Sequence, residues 1–269
     1  MTKLEYTLMN DVLAKMLFVK YPDLLKRLVS TLLRIQYESI GHFEIANPDI
    51  PPETHGDKFC RLDISMTVDG RRVGLELQVA NEGDYPERSL YYWAREFSSA
   101  LQEGGEYIDL PRTIIISIIA FKLFGCEEFH SEYQVLEVTR HTPLTDKQVL
   151  YFFELPKLPE TIRADDELEL WLKLFDAETE EELTQLEALE VPIMKQAIGA
   201  YRHVSATDEF KEIERLRSRT RHNEASALGH AWREGEKAER ERWQCVVADK
   251  DAEIARLRAQ MQKQNGEGS

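Results

Sequence analysis

Cysteine is scarce. The 269 residues contain three, Cys60, Cys126 and Cys245, with no paired spacing. That excludes a disulfide-stapled fold and a zinc motif, and it fits a reducing compartment. Long apolar runs are also missing. The longest, residues 114–121, is far too short to span a bilayer. No basic stretch leading into an apolar one opens the chain, so no secretory leader is expected. These absences together read as a cytoplasmic protein with no membrane segment. Positive charge is outnumbered, with 34 Lys and Arg against 49 Asp and Glu and a net charge of −15. The excess is local: residues 165–190 hold eleven Asp and Glu against one Lys, which is −10 of the −15. Acidity over a whole surface argues against a nucleic-acid partner, but acidity confined to one segment argues much less.

The apolar fraction, 42%, suffices for a real core. The most ordered pattern runs over residues 59–80: F-C-R-L-D-I-S-M-T-V, then Asp69-Gly70, then R-R-V-G-L-E-L-Q-V-A. Asp-Gly between two alternating apolar runs is a strong hairpin signal, because a type I′ turn needs positive φ at both central residues. Leu62, Ile64, Met66 and Val68 share one face of the first strand, and Val73, Leu75, Leu77 and Val79 one face of the second. A two-residue turn pairs Val68 with Arg71 and so sets Asp63 opposite Glu76. Carboxylates facing each other across a strand pair repel unless a cation joins them or one is protonated. Gln78 lies one strand period further on the same face. The same acids read equally well as a solvated outer face.

Along the rest of the chain, Asn10 or Asp11 can cap a first helix, and a second follows over 23–37 with Leu24, Leu25, Leu28 and Leu32 at helical spacing. A short strand is expected over 40–45 and a proline-bearing loop over 47–57. Residues 87–103 read as a helix with Leu90, Trp93, Phe97 and Leu101 on one face, ended by Gly104-Gly105. The run T-I-I-I-S-I-I-A-F suggests a strand buried on both faces, with that helix as its crossover. Further strands are expected over 133–138 and 149–155. The order points to an α/β fold with a mixed sheet. Three regions follow: 1–160, an acidic helical extension over 161–204, and a Glu/Arg-rich helical tail over 205–269. In the tail, Trp243, Val247, Ile254, Leu257 and Met261 form a heptad seam interrupted by Lys250, which predicts a coiled coil, a homo-oligomer and a disordered end.

Hard cations such as Mg²⁺ bind through one or two carboxylates, keep several waters and take further oxygens from a phosphate. Asp63 and Glu76 form such a pair. Gln78 can orient water or contact a phosphate by hydrogen bonds. Arg88 and Tyr92, i and i+4 on the crossover helix, can reach a phosphate or serve packing and ion pairing. Asp11 reads as a helix cap ahead of a ligand, Lys15 as a solvated charge or a phosphate contact, and Glu154 as structural. His130 and His141 have no partner at metal-ligand spacing.

Asp63, a turn, then Glu76-Leu77-Gln78 resembles the signature of PD-(D/E)XK nucleases in the variant with Gln for Lys. The blocks N-D-V-L-A-K-M-L-F, R-L-D-I, L-E-L-Q-V, P-E-R-S-L-Y-Y-W-A-R, G-G-E-Y-I-D-L-P and F-F-E-L-P-K-L, in this order, are similar to the Rpn family. Its members are described as recombination-promoting nucleases or PD-(D/E)XK family transposases. The resemblance covers about residues 8–160. It implies a restriction-endonuclease-like αβββαβ core and cleavage of DNA dependent on Mg²⁺ or Mn²⁺. It makes Asp63 and Glu76 the metal ligands, puts Gln78 in the lysine position, and adds Asp11 as a helix-borne acid with Lys15 one turn on. Ala14 stands where the family usually has Phe, Ala100 where Gln is common, and Leu62 where the motif is named for proline. The alternative class is a nuclease fold without turnover, acting as a DNA-binding or assembly module through its tail.

Overall fold

The computed structural model describes residues 2–46, 63–101 and 104–266, the last eight for their backbone only. Two helices open the chain, α1 (Asp11–Lys20) and α2 (Pro22–Leu32). Three strands follow, β1 (Phe43–Ile45), β2 (Ile64–Val68) and β3 (Arg71–Gln78). Helix α3 (Tyr85–Ser99) then crosses to β4 (Thr113–Ile119), and β5 (His130–Tyr133) and β6 (Gln148–Glu154) complete the sheet. The strand order is β1-β2-β3-β4-β6-β5. The centre is parallel (β3 with β4, β4 with β6) and both edges are antiparallel. This is the mixed α/β sheet expected from the sequence, with α3 as the crossover.

The hairpin forms as its turn dictates. Asp69 and Gly70 take φ of 46° and 76°, which only a type I′ turn requires of both positions. Val68 pairs with Arg71 and Ile64 with Leu75. Ile64, Met66, Val68, Val73, Leu75 and Leu77 are all buried. Residues 47–62, which include the expected loop, Cys60 and Leu62, lie outside the described residues. Strand β4 is buried along its whole length, as its β-branched run implies.

Other elements depart from expectation. Helix α2 stops at Leu32, and Arg34 turns the chain with φ of 54°. Helix α3 starts at Tyr85 and ends at Ser99, and its inner face is Tyr85, Ser89, Tyr92, Trp93 and Glu96. Leu90 points outward, 51% exposed. The Trp93 indole N–H donates to Thr113 O at 3.1 Å and fastens α3 to β4. Strand β5 lies three residues earlier than expected. The apolar residues Val135, Leu136 and Val138 belong instead to an exposed loop closed by a Leu136–Pro143 bridge.

The acidic region forms three helices, α4 (Glu167–Asp176), α5 (Glu180–Ala188) and α6 (Pro192–Ser205). They are amphipathic. Leu170, Trp171, Leu174, Phe175, Leu183 and Leu186 are buried, and so is Glu169, whose Oε2 accepts from Arg163 Nε at 3.0 Å; the remaining acids are half-buried or exposed. Helix α4 packs on α2 and α6 on α1, with Phe175 6.4 Å from Phe18. The N-terminal segment is tied in by Leu4 N–H donating to Glu178 O at 2.8 Å and by the Tyr201 hydroxyl donating to Tyr6 O. Packing therefore places no boundary at residue 160: one compact unit spans Met1–Glu212. The second unit, Ile213–Ser269, holds the rest of a 59-residue helix, α7 (Asp208–Gly266). Along it Trp232, Trp243, Val247, Ile254 and Leu257 are exposed. Among the described residues no helix is long and apolar enough to cross a membrane.

Candidate active site

The ladder between β2 and β3 ends at Ile64–Leu75, and two carboxylates continue it. The Asp63 N–H donates to Glu76 Oε1 at 2.9 Å, and the Leu77 N–H donates to Asp63 Oδ2 at 2.8 Å. Each acid thus holds the opposite strand's backbone, and the two carboxylates face each other as the register required. Glu76 is only 6% exposed. Burial pushes its carboxyl well above the usual carboxylate range, the charge of Asp63 pushes the same way, and Asp11 adds to it. The Asp63 N–H and the Arg88 guanidinium pull it back.

Asp11 is therefore brought to the carboxylate pair. Asn10, not Asp11, is the helix cap: its side chain accepts from the Leu13 N–H at 2.9 Å. That releases Asp11, the first helical residue, to act on Glu76. Lys15 follows one turn on and is buried with partners of its own, which removes the solvated-charge reading. Arg88 reaches the pair electrostatically while its Nη1 donates to Glu82 Oε2 at 2.8 Å and its guanidinium lies 4.9 Å from the Tyr85 ring centre. Tyr92 is half-buried against the cluster of Tyr85, Ile115, Ile119, Leu150 and Phe152. Gln78 lies at the end of β3, and its Nε2 donates to Ala80 O at 2.7 Å, so the carboxamide is engaged with its own chain.

Other weighed residues fall elsewhere. Buried Glu154 accepts from the Leu123 and Phe124 N–H groups and from Lys157 Nζ at 2.6 Å, a structural pin. The His130 ring stacks on Phe153 with centroids 4.6 Å apart. Two residues not singled out from the sequence also border Glu76. Ser117 is its register partner on β4, and Tyr85 lies over the same patch. Ser117 does carry a signal, as the polar interruption in I-I-I-S-I-I; Tyr85 is visible only once α3 is folded across the sheet.

Among the described residues no group of three or more His, Cys, Asp or Glu forms a metal cage. A hard cation does not need one: two carboxylates, waters and a phosphate complete its shell. The donor set here, two opposed oxygens-only ligands in mutual repulsion, fits such an ion.

A mixed sheet with a parallel centre, a crossover helix and a carboxylate pair at the open end of its hairpin is the arrangement of a PD-(D/E)XK nuclease-like fold. A family model for PD-(D/E)XK nuclease family transposases matches residues 8–231, and the chain belongs to that family. Comparison with curated proteins and with solved structures found no significant match in either.

Proposed function

We propose that the protein is a DNA endonuclease of the recombination-promoting (Rpn) kind, dependent on Mg²⁺ or Mn²⁺ and acting in the cytoplasm in recombination or on mobile elements. The observation that carries this reading is the Asp63–Glu76 pair, locked across β2 and β3, in which burial and the charge of Asp63 both disfavour the ionised Glu76 that a cation would stabilise. Asp63 and Glu76 hold the ion, and Asp11 adds negative charge on its helix side. A bound divalent ion supplies Lewis-acid polarisation of a phosphoryl oxygen and activation of water. Arg88 steadies the phosphate, with Lys15 and Tyr92 as further contacts. Gln78 orients the attacking water by exchanging its bond to Ala80 O. The exposed seam of α7 supports self-association of two or more tails.

Nicking of supercoiled plasmid, with and without Mg²⁺, beside Asp63→Ala, tests the reading. Cleavage by the wild type only with Mg²⁺, and none by Asp63→Ala, is expected. A second reading, a DNA-binding or assembly module without turnover, is favoured by the engagement of Gln78 with Ala80. It predicts Mg²⁺-independent DNA retention and no nicking.

A further inference from the structure

We propose that Tyr85 and Ser117 are positioning residues for Glu76: their hydroxyls supply the hydrogen bonds that hold its carboxylate in one orientation when a divalent ion is bound. The inference rests on the nuclease reading above. Glu76 and Ser117 are partners across the parallel β3–β4 pair, so their side chains stand side by side on the face covered by α3. Tyr85, fully buried, begins α3 over this patch. Its hydroxyl faces Ser117 and lies within the field of Glu76, Asp63 and Arg88.

Both hydroxyls are buried, and neither makes a hydrogen bond of good geometry. Buried polar groups without partners are rare and mark a missing water, an ion or a functional contact. Among the described residues, the Glu76 carboxyl accepts one hydrogen bond, from the Asp63 N–H at 2.9 Å. A buried ligand with a single tether thus lies beside two facing hydroxyls, and a bond between those two engages only one of their O–H groups, which leaves the other to donate. Beyond each other, neither hydroxyl has a hydrogen-bonding neighbour among the residues packed around it. Ser117 sits among isoleucines in β4, and Tyr85 packs on Phe152 and Phe121 through its ring. Partners behind a metal ligand fix its orientation, and their loss typically costs about 10–100-fold in metal affinity.

Mn²⁺ binding by calorimetry to the full chain tests this, with wild type, Asp63→Asn, Tyr85→Phe, Ser117→Ala and the double variant Tyr85→Phe/Ser117→Ala. Wild type is expected to bind and Asp63→Asn to lose binding. Each single hydroxyl variant weakens Mn²⁺ binding by about 10–100-fold. In metal-free buffer the same variants melt at or above the wild-type temperature, because an unpartnered buried hydroxyl has been removed; a merely structural role would lower melting and leave affinity alone. The double variant weakens binding by less than the product of the two, since both hydroxyls act through one carboxylate. Single variants that bind Mn²⁺ like wild type overturn the inference and leave the nuclease reading standing. A wild type that binds no Mn²⁺ overturns both. Tyr85→Phe changes no packing volume, so it decides the matter even if Ser117→Ala misfolds.

Discussion

Glu76 bears an electrostatic cost that its neighbours only partly offset. Its folded carboxyl keeps a proton to higher pH than the unfolded chain does. Between the ordinary glutamate pKa and the raised folded value the native state binds more protons, so stability falls as pH rises through that window. Glu76→Gln removes the titration. In metal-free buffer at neutral pH this variant should melt above wild type, and below the ordinary glutamate range the two should converge. Added Mg²⁺ or Mn²⁺ should raise the melting temperature of wild type and not of Glu76→Gln. Thermal unfolding across pH, with and without the ion, reads all three outcomes. Gln78 differs in kind. A carboxamide brings donors and an acceptor but no charge, so the metal must carry more of the neutralisation and cleavage should depend steeply on Mg²⁺. Gln78→Leu should lose about 10²–10³ in rate at saturating Mg²⁺, while Gln78→Lys keeps partial cleavage. If Gln78 serves only to pin Ala80, plasmid cleavage by Gln78→Leu will match wild type.

At the scale of elements, α4–α6 are part of the core that supports the sheet. Phe175→Ala should destabilise the chain by about 3–5 kcal/mol, the usual cost of emptying a buried aromatic site, measured by urea unfolding. A chain cut after Leu158 uncovers the faces of α1 and α2 and should not fold cooperatively, whereas one ending at Glu212 should. The difference from a boundary at 160 has a physical origin. Eleven acids in 165–190 mask a buried stripe of Leu170, Trp171, Leu174 and Phe175 in the composition. The β2–β3 hairpin, by contrast, is legible down to its register, because Asp69-Gly70 admits one turn type and the turn fixes every pair. Strand β5 is hidden for the opposite reason: it is an edge strand built from His130, Ser131 and Glu132, while the apolar Val135, Leu136 and Val138 nearby are loop residues. The inner face of α3 is set by its start at Tyr85, and Leu90 falls outside it. Asp63 and Glu76 follow from the hairpin alone. Asp11 needs α1 to dock, so its place comes from the family resemblance and not from spacing, and Tyr85 and Ser117 need the crossover to be folded across the sheet.

For the whole molecule, the charge divides along the chain and so does the expected behaviour. The unit Met1–Glu212 carries the proposed site, and Ile213–Ser269 carries a stripe of exposed apolar residues. Light scattering of the full chain and of one ending at Glu212 should give an oligomer and a monomer respectively. Equal masses would remove the tail from assembly. Trp243→Glu, placing a charge on the stripe, should shift the full chain toward monomer without altering the melting of the first unit.

The reciprocal bonds between Asp63 and Glu76 have a spectroscopic consequence. The amide protons of Asp63 and Leu77 each end on a carboxylate that is also a proposed metal ligand. Any cation drawing on those oxygens alters the shielding of both protons at once. In an amide-resolved NMR spectrum, these two resonances should move together on titration with Mg²⁺, with the same apparent affinity, and so report occupancy of the site with no substrate present.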